Sequence, residues 1–208
     1  MSASKLSSIK SRLWKRRQGI MGQEEMKAAA LLIPLIEKEG AVHVLFEVRA
    51  FHLKAQPGDI CFPGGRAEDE DRSMEETAIR ETCEELGIRP ENIEIIAPLD
   101  VLVSRHAAII YPYVGTVAQD VSLRPDPAEV AEVFTVPLDY FLSVEPERHD
   151  VPLKVEPPED FPYHLIVGGK NYNWRTGAIP EFFYVYEDYA IWGMTAKILY
   201  HFVQLIRS

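Results

Sequence analysis

The chain has 208 residues, 47% of them hydrophobic and 26% charged, with two cysteines and a net charge of −10 at pH 7. That length fits one ordinary domain with appended structure; no window approaches the ~20 uninterrupted apolar residues of a membrane span, which excludes stable membrane insertion. The negative charge argues against general nucleic-acid binding, because that affinity comes largely from lysine and arginine neutralising phosphates.

Cys61 and Cys83 fall in apolar or helical context. Free thiols in a reducing compartment fit them better than a disulfide framework, and a cytoplasmic protein is expected. Residues 1–22 carry Lys5, Lys10, Arg12, Lys15, Arg16 and Arg17 and no acid, so the remaining chain carries −16, the total less the arm's +6. Residues 1–27 are expected to form a basic helical segment and residues 28–208 a single domain. The segment lacks the apolar stretch of a secretory signal. A solvated helix on the surface is the favoured reading, ahead of a transit peptide or a membrane-touching amphipathic helix.

Residues 28–50 read as a β-hairpin: apolar 30–35, a polar turn Glu37-Lys38-Glu39-Gly40, then alternating Val42, Val44, Phe46 and Val48. Pro57-Gly58 and Pro63-Gly64-Gly65 flank the apolar trio Ile60-Cys61-Phe62, which predicts a short strand ending in a tight glycine loop. A helix follows over 73–86. Ser73 with Glu76 three residues on has capping-box spacing, and Gly87 offers the left-handed residue that ends a helix. Ile79, Cys83 and Leu86, with Ala78 and Thr82 beside them, should pack on the sheet. Strands are expected at 93–96, 107–117 (interrupted by Pro112), 133–136 and 182–186, and a C-terminal helix over 195–206. Residues 143–180 read as an irregular excursion, with a hairpin pairing Lys154-Val155 near 165–167.

On the 73–86 helix Glu81, Glu84 and Glu85 are three and four residues apart, which predicts that their carboxylates converge on one face, opposite the apolar stripe. Like charges at such spacings cost ~0.2–0.5 kcal/mol per pair, so the cluster needs a reason, and a hard cation supplies one. The preceding Gly64-Gly65 complements it, since backbone without a β-carbon can approach a metal or a phosphate. Taken alone the glutamates suit a solvated face, with Glu76, Arg80 and Glu84 as an i,i+4 ladder. That reading leaves the Gly-Gly loop unexplained, and leaves Glu81 and Glu85 without basic partners.

Arg80-Glu81-Thr82-Cys83-Glu84-Glu85-Leu86-Gly87-Ile88 resembles the second half of the Nudix box, G-x5-E-x7-R-E-U-x-E-E-x-G-U. Counting back puts Arg72 at the box glutamate and Arg66 at its glycine, as though one residue were inserted. The coenzyme A pyrophosphatase branch of that family has the same longer spacing, which Phe62-Pro63-Gly64-Gly65, Glu68, Asp71 and Thr77-Ala78 match here. Arg49-Ala50-Phe51-His52-Leu53-Lys54 before Pro57-Gly58 is similar to that branch's upstream signature, and the resemblance extends over roughly residues 28–200.

The resemblance implies an α+β protein, a Nudix-type α/β/α sandwich with a mixed sheet and a loop-helix-loop catalytic motif. It implies hydrolysis of a diphosphate bridge in coenzyme A or its derivatives with Mg2+ or Mn2+. Glu81 and Glu85 would be the principal metal ligands, with Glu84 and the backbone carbonyl near Gly65 as further ones and Arg80 as an orienting residue. Gly64, Gly65, Arg49 and Lys54 would meet the substrate, its phosphates falling to Arg49 and Lys54. Glu129 and Glu132 are candidates for activating water or binding metal. A small-molecule nucleotide is the expected partner, and the sequence is compatible with a homodimer. The alternatives are another nucleoside diphosphate derivative such as ADP-ribose, or a non-catalytic Nudix-fold binding module.

Overall fold

A computed structural model describes residues 2–104 and 108–207. Helix α1 covers Ser2–Leu13. The long strands β1 (Lys27–Lys38) and β2 (Ala41–Arg49) then form the expected hairpin through Glu39 and Gly40, both at positive φ, as a two-residue turn of this hand requires. The two strands pair only near the turn, Leu35↔Val44 through Lys38↔Ala41, and then diverge. Into the split come β3 (Ile60–Cys61), pairing with β2, and β4 (Gly64–Arg66), pairing with β1. This wedge positions the glycine loop.

Helix α2 spans Met74–Leu86 and has the predicted caps. Ser73 accepts from the Glu76 N–H at 3.1 Å, and Gly87 stands at φ 63°. Gly87 also needs its missing β-carbon, since one built there would stand 2.1 Å from the Arg124 carbonyl oxygen. The N–H groups of Arg124 and Asp126 cap the carbonyls of Leu86 and Glu85, which pins residues 124–126 to the end of the helix.

Strands β5 (Ile93–Pro98), β6 (Leu102–Ser104), β7 (Ala108–Val117) and β8 (Val130–Pro137) complete a mixed eight-stranded sheet. Its path runs β3-β2-β1-β7-β5, with β7 parallel to β1, β8 on the outer edge of β2 and β6 on β7. Strand β7 runs unbroken through Pro112, which takes its place opposite Leu31; Ala107, expected to start it, lies outside the described residues. Helix α3 (Leu138–Ser143) and strands β9 (Glu147–Leu153), β10 (Gly177–Tyr186) and β11 (Tyr189–Trp192) lead to helix α4 (Gly193–Ile206). The last three strands form a second sheet in the order β11-β10-β9.

The two faces of β2 show the layering. Val44 and Phe46 point into the large core shared with Phe141 of α3, Tyr184 of β10, and Leu199 and Phe202 of α4. Leu45 points the other way, into a smaller cluster with Leu86, Ile88 and Val117 beneath α2. The sheet therefore lies between α2 on one side and α3 and α4 on the other, a mixed α+β sandwich of the expected kind.

The segment before β1 is α-helical only to Leu13, with a single 3₁₀ turn at Gln23–Glu25; Lys15 adopts a positive φ beyond α1, and a run of three cations followed by Gly19 and Gly22 does not sustain a longer helix. The predicted pairing of 154–155 with 165–167 does not form. Strand β9 ends at Leu153 and pairs with β10 from Leu153↔Gly177 to Glu147↔Phe183, while Tyr163–Leu165 is a single 3₁₀ turn. Leu165 and Val167 are exposed, so their apolar character carried no pairing information. Among the described residues no helix is long and apolar enough to cross a membrane.

Candidate active site

The glycine loop and α2 meet at the mouth of the split between β1 and β2. The Gly64 N–H donates to Glu85 Oε2 at 2.8 Å, and the Glu81 carboxylate lies against Gly65 so closely that a β-carbon there would stand 2.3 Å from Glu81 Oε2. The double glycine is thus matched to these two glutamates.

Glu84 goes elsewhere. Its side chain is 61% exposed and pairs with Arg80 at 3.2 Å, on the outer side of the helix. The expected convergence of three carboxylates on a face opposite the apolar stripe does not form. Thr77, Ala78, Thr82, Glu85 and Leu86 make the buried side of α2, so Glu85 belongs to the packed face and is only 3% exposed. The helical angle explains it: Glu81 and Glu85, four apart, nearly eclipse, whereas Glu84 and Glu85, one apart, diverge by 100°.

The third carboxylate at the site is Glu47 of β2, which the sequence reading passed over. It is 1% exposed, and its Oε1 accepts from the Cys61 thiol at 3.3 Å, while Oε2 is buried without a partner. It shares the α2 side of the sheet with Leu45, and an acid inside the buried run 44–48 was the available signal. Glu129 joins electrostatically, acting on Glu47, Glu81 and Glu85, and its carbonyl accepts from the Ala50 N–H at 2.7 Å. Glu132 does not join, because its carboxylate accepts from the Tyr189 hydroxyl.

Burial, reinforced by the neighbouring acids Glu47, Glu81 and Glu129, pushes the Glu85 carboxyl well above the ordinary carboxylate range, against the pull of the Gly64 N–H. Burial likewise raises Glu47, opposed chiefly by the Cys61 hydrogen bond and by Arg49. Glu81 is also raised by burial, against the adjacent Arg80. Burial and Glu47 hold the Cys61 thiol up, so it stays a neutral donor.

Arg80 is tied in four directions: to both oxygens of Asp71 at 3.0 Å, to the Arg66 carbonyl at 3.0 Å, to Glu81 at 2.8 Å and to Glu84 at 3.2 Å. Asp71 also accepts from Thr77 Oγ1 and the Glu68 N–H, and these bonds, Arg80 foremost, hold its carboxyl far below the usual range. The acid paired with the box arginine is thus Asp71, which accommodates the longer spacing. Glu76 pairs with Arg72 rather than with Arg80.

Arg49 ends β2 next to Glu47, and its Nε is buried without a partner. The loop after it closes through Arg49 N–H to Asp59 and Gly58 N–H to Arg49, with Lys54 exposed on its outside. Among the described residues no three His, Cys, Asp or Glu side chains stand in a formed metal cluster, since Glu81, Glu84 and Glu85 are turned to protein donors.

A family model described as NUDIX domain matches residues 26–154. Mouse (Mus musculus) peroxisomal coenzyme A diphosphatase NUDT7 is 34% identical over 169 residues, covering 81% of this chain and 66% of that protein. An uncharacterized Nudix hydrolase NudL of Photorhabdus laumondii is 32% identical over 180 residues, covering 86% of this chain and 84% of that one. Among solved structures, a MutT/nudix family protein from Enterococcus faecalis is 16% identical, with a TM-score of 0.49, and covers 97% of this chain and 69% of that one.

Proposed function

The chain belongs to the Nudix hydrolase family, and on that premise we propose that it hydrolyses the diphosphate bridge of coenzyme A or a close derivative. The products would be 4′-phosphopantetheine and adenosine 3′,5′-bisphosphate. The observation that carries the reading is the placement of Glu81 and Glu85 against the backbone of Gly64 and Gly65, at the opening between β1 and β2. The 34% identity to a protein named as a coenzyme A diphosphatase supports the substrate.

A divalent cation fits the donors at hand. They are all oxygen, Glu47 Oε2 is buried without a partner, and the missing β-carbon of Gly65 lets the Glu81 carboxylate lie directly against the loop. Mg2+ or Mn2+ is our reading, with Glu81 and Glu85 as principal ligands, the Gly65 carbonyl beside them, and Glu84 able to join by a change of rotamer. Bound there, such a cation neutralises charge on the diphosphate and lowers the pKa of the attacking water.

The chain's own groups do the rest. Arg80, locked by Asp71, orients Glu81. Arg49, with a free buried Nε, and Lys54 on the adjoining loop meet substrate phosphates. Water forms a new P–O bond as the bridging P–O bond breaks, and its proton passes to an acid of the cluster. Glu129, beside Glu81 and Glu85, suits that task better than Glu132, which Tyr189 engages. The two free cysteines suit a reducing compartment, and we keep the cytoplasm as the proposed setting.

The test is product identification by mass spectrometry with Mg2+ or Mn2+ on coenzyme A, its 3′-dephosphorylated form and ADP-ribose. Release of the two named products from coenzyme A, with slower turnover of the dephosphorylated form, supports the reading. Turnover of ADP-ribose alone would move the substrate elsewhere within the family.

A further inference from the structure

Along α1, Leu6, Ile9 and Leu13 stand at spacings of three and four, one stripe of the helix, and they are 54%, 52% and 58% exposed. At 100° per residue, Lys10 lies on one border of that stripe and Lys5 with Arg12 on the other. Ser4, Ser7, Ser8 and Ser11 occupy the opposite side. Trp14, 76% exposed, follows directly, and Lys15, Arg16 and Arg17 extend the charge.

A helix on a protein surface ordinarily turns its apolar stripe inward. Here the stripe faces solvent with cations along both borders, an arrangement in which lysine and arginine stems cover apolar surface while their heads reach anions beyond it. The charge asymmetry selects the partner. Residues 1–22 carry six cations and no acid, while the rest of the chain carries −16 and is repelled by an anionic surface, so this arm has to make the contact. Twelve helical residues rise only about 18 Å, short of the ~30 Å hydrocarbon core. Contact therefore lies in the plane of a surface and does not cross it.

We propose that α1 and Trp14 dock the protein on an anionic phospholipid bilayer. Leu6, Ile9, Leu13 and Trp14 enter the boundary between headgroups and acyl chains, the six cations meet lipid phosphates and carboxylates, and the serine side stays in water. The contact tethers the hydrolytic site at a membrane surface without altering it.

The test is co-sedimentation of the full chain with vesicles of phosphatidylcholine alone or mixed with phosphatidylserine, at low and high salt. Two variants are compared: Leu6→Ser, Ile9→Ser and Leu13→Ser together, and Lys5→Gln, Lys10→Gln and Arg12→Gln together. Thermal unfolding shows that each keeps its fold. The proposal expects binding to the mixed vesicles only, weakened by salt, lost in the leucine-isoleucine variant and reduced roughly fivefold per cation removed. Binding that ignores the apolar substitutions would reduce the contact to plain charge attraction and overturn the docked helix. An absence of vesicle binding, with cross-links from Lys5 and Lys10 to acids of this chain or of a protein partner, would give the face to protein and overturn the lipid assignment.

Discussion

Glu47 of β2 and Glu85 of α2 are buried neighbours beneath the glycine loop, 1% and 3% exposed, and the charge of Glu47 adds to burial in raising the Glu85 carboxyl. The pair exists because β2 presents alternate residues to α2 and because Glu85 lies on the packed side of that helix. Two acids in a site closed to water store a cost that a bound cation would relieve.

The stability of the metal-free protein should therefore depend on pH with a definite sign. Burial raises both carboxyls above their unfolded values, so the folded chain holds protons that the unfolded chain releases. The contribution of these two carboxyls to stability is fullest below the ordinary value of 4.5 and is lost as pH climbs through about 7 for Glu47 and about 9 for Glu85. In chelator the unfolding temperature should fall across that window, and Glu47→Gln should flatten the decline. An unfolding temperature that is level from pH 5 to about 9 in the parent chain would count against the buried pair.

Magnesium binding should release protons in the same window, because ligands must be deprotonated to coordinate. Calorimetry in buffers of different ionisation enthalpy would register the release. Chelator should abolish turnover while the far-ultraviolet circular dichroism stays as it was; loss of the helical signal would make the metal structural.

The two loop glycines should fail differently. In Gly64→Ala the new β-carbon would stand 2.5 Å from the Ala30 carbonyl oxygen and 2.6 Å from the Leu31 Cα, both backbone, so the chain must shift. A loss on the order of 2 kcal/mol in stability is expected. In Gly65→Ala the obstacle is the far end of the Glu81 side chain, which can move. Folding should survive and kcat should drop. Equal melting losses in both variants would show that Glu81 is not free to yield.

Arg80→Lys should lower kcat by roughly 10 to 100-fold with little change in KM, since a positioning group without contact to substrate acts through the carboxylates it holds. Lysine cannot reproduce the fork that grips both oxygens of Asp71 and the Arg66 carbonyl. Steady-state kinetics would expose the alternative, a KM increase at constant kcat, which would put Arg80 on the substrate.

The parts of the fold visible in sequence are those written in local chemistry. Ser73, Glu76 and Gly87 announced α2 because caps act within a few residues, and Glu39-Gly40 announced the hairpin for the same reason. That the glycine loop and the glutamates of α2 belong together was legible from their adjacency in sequence, whereas the packing of Glu85 on the buried side of the helix was not. Glu47 was not, since its meeting with Glu85 depends on β3 and β4 wedging between β1 and β2, a long-range event that residue spacing does not encode. Glu84 was misplaced by counting carboxylates without following the helix rotation by 100° per residue. Strand β9 itself carries no sequence signal because all seven of its residues are exposed, leaving no buried face to set a pattern.

Turnover of coenzyme A by Glu85→Gln and Glu84→Gln, measured side by side with Mg2+ on protein of verified fold, tests the placement of the site most directly. Glu85→Gln should lose roughly 10²-fold or more in kcat, and Glu84→Gln, exposed and bound to Arg80 alone, should lose far less. Full turnover by Glu85→Gln would contradict a catalytic centre built on that carboxylate.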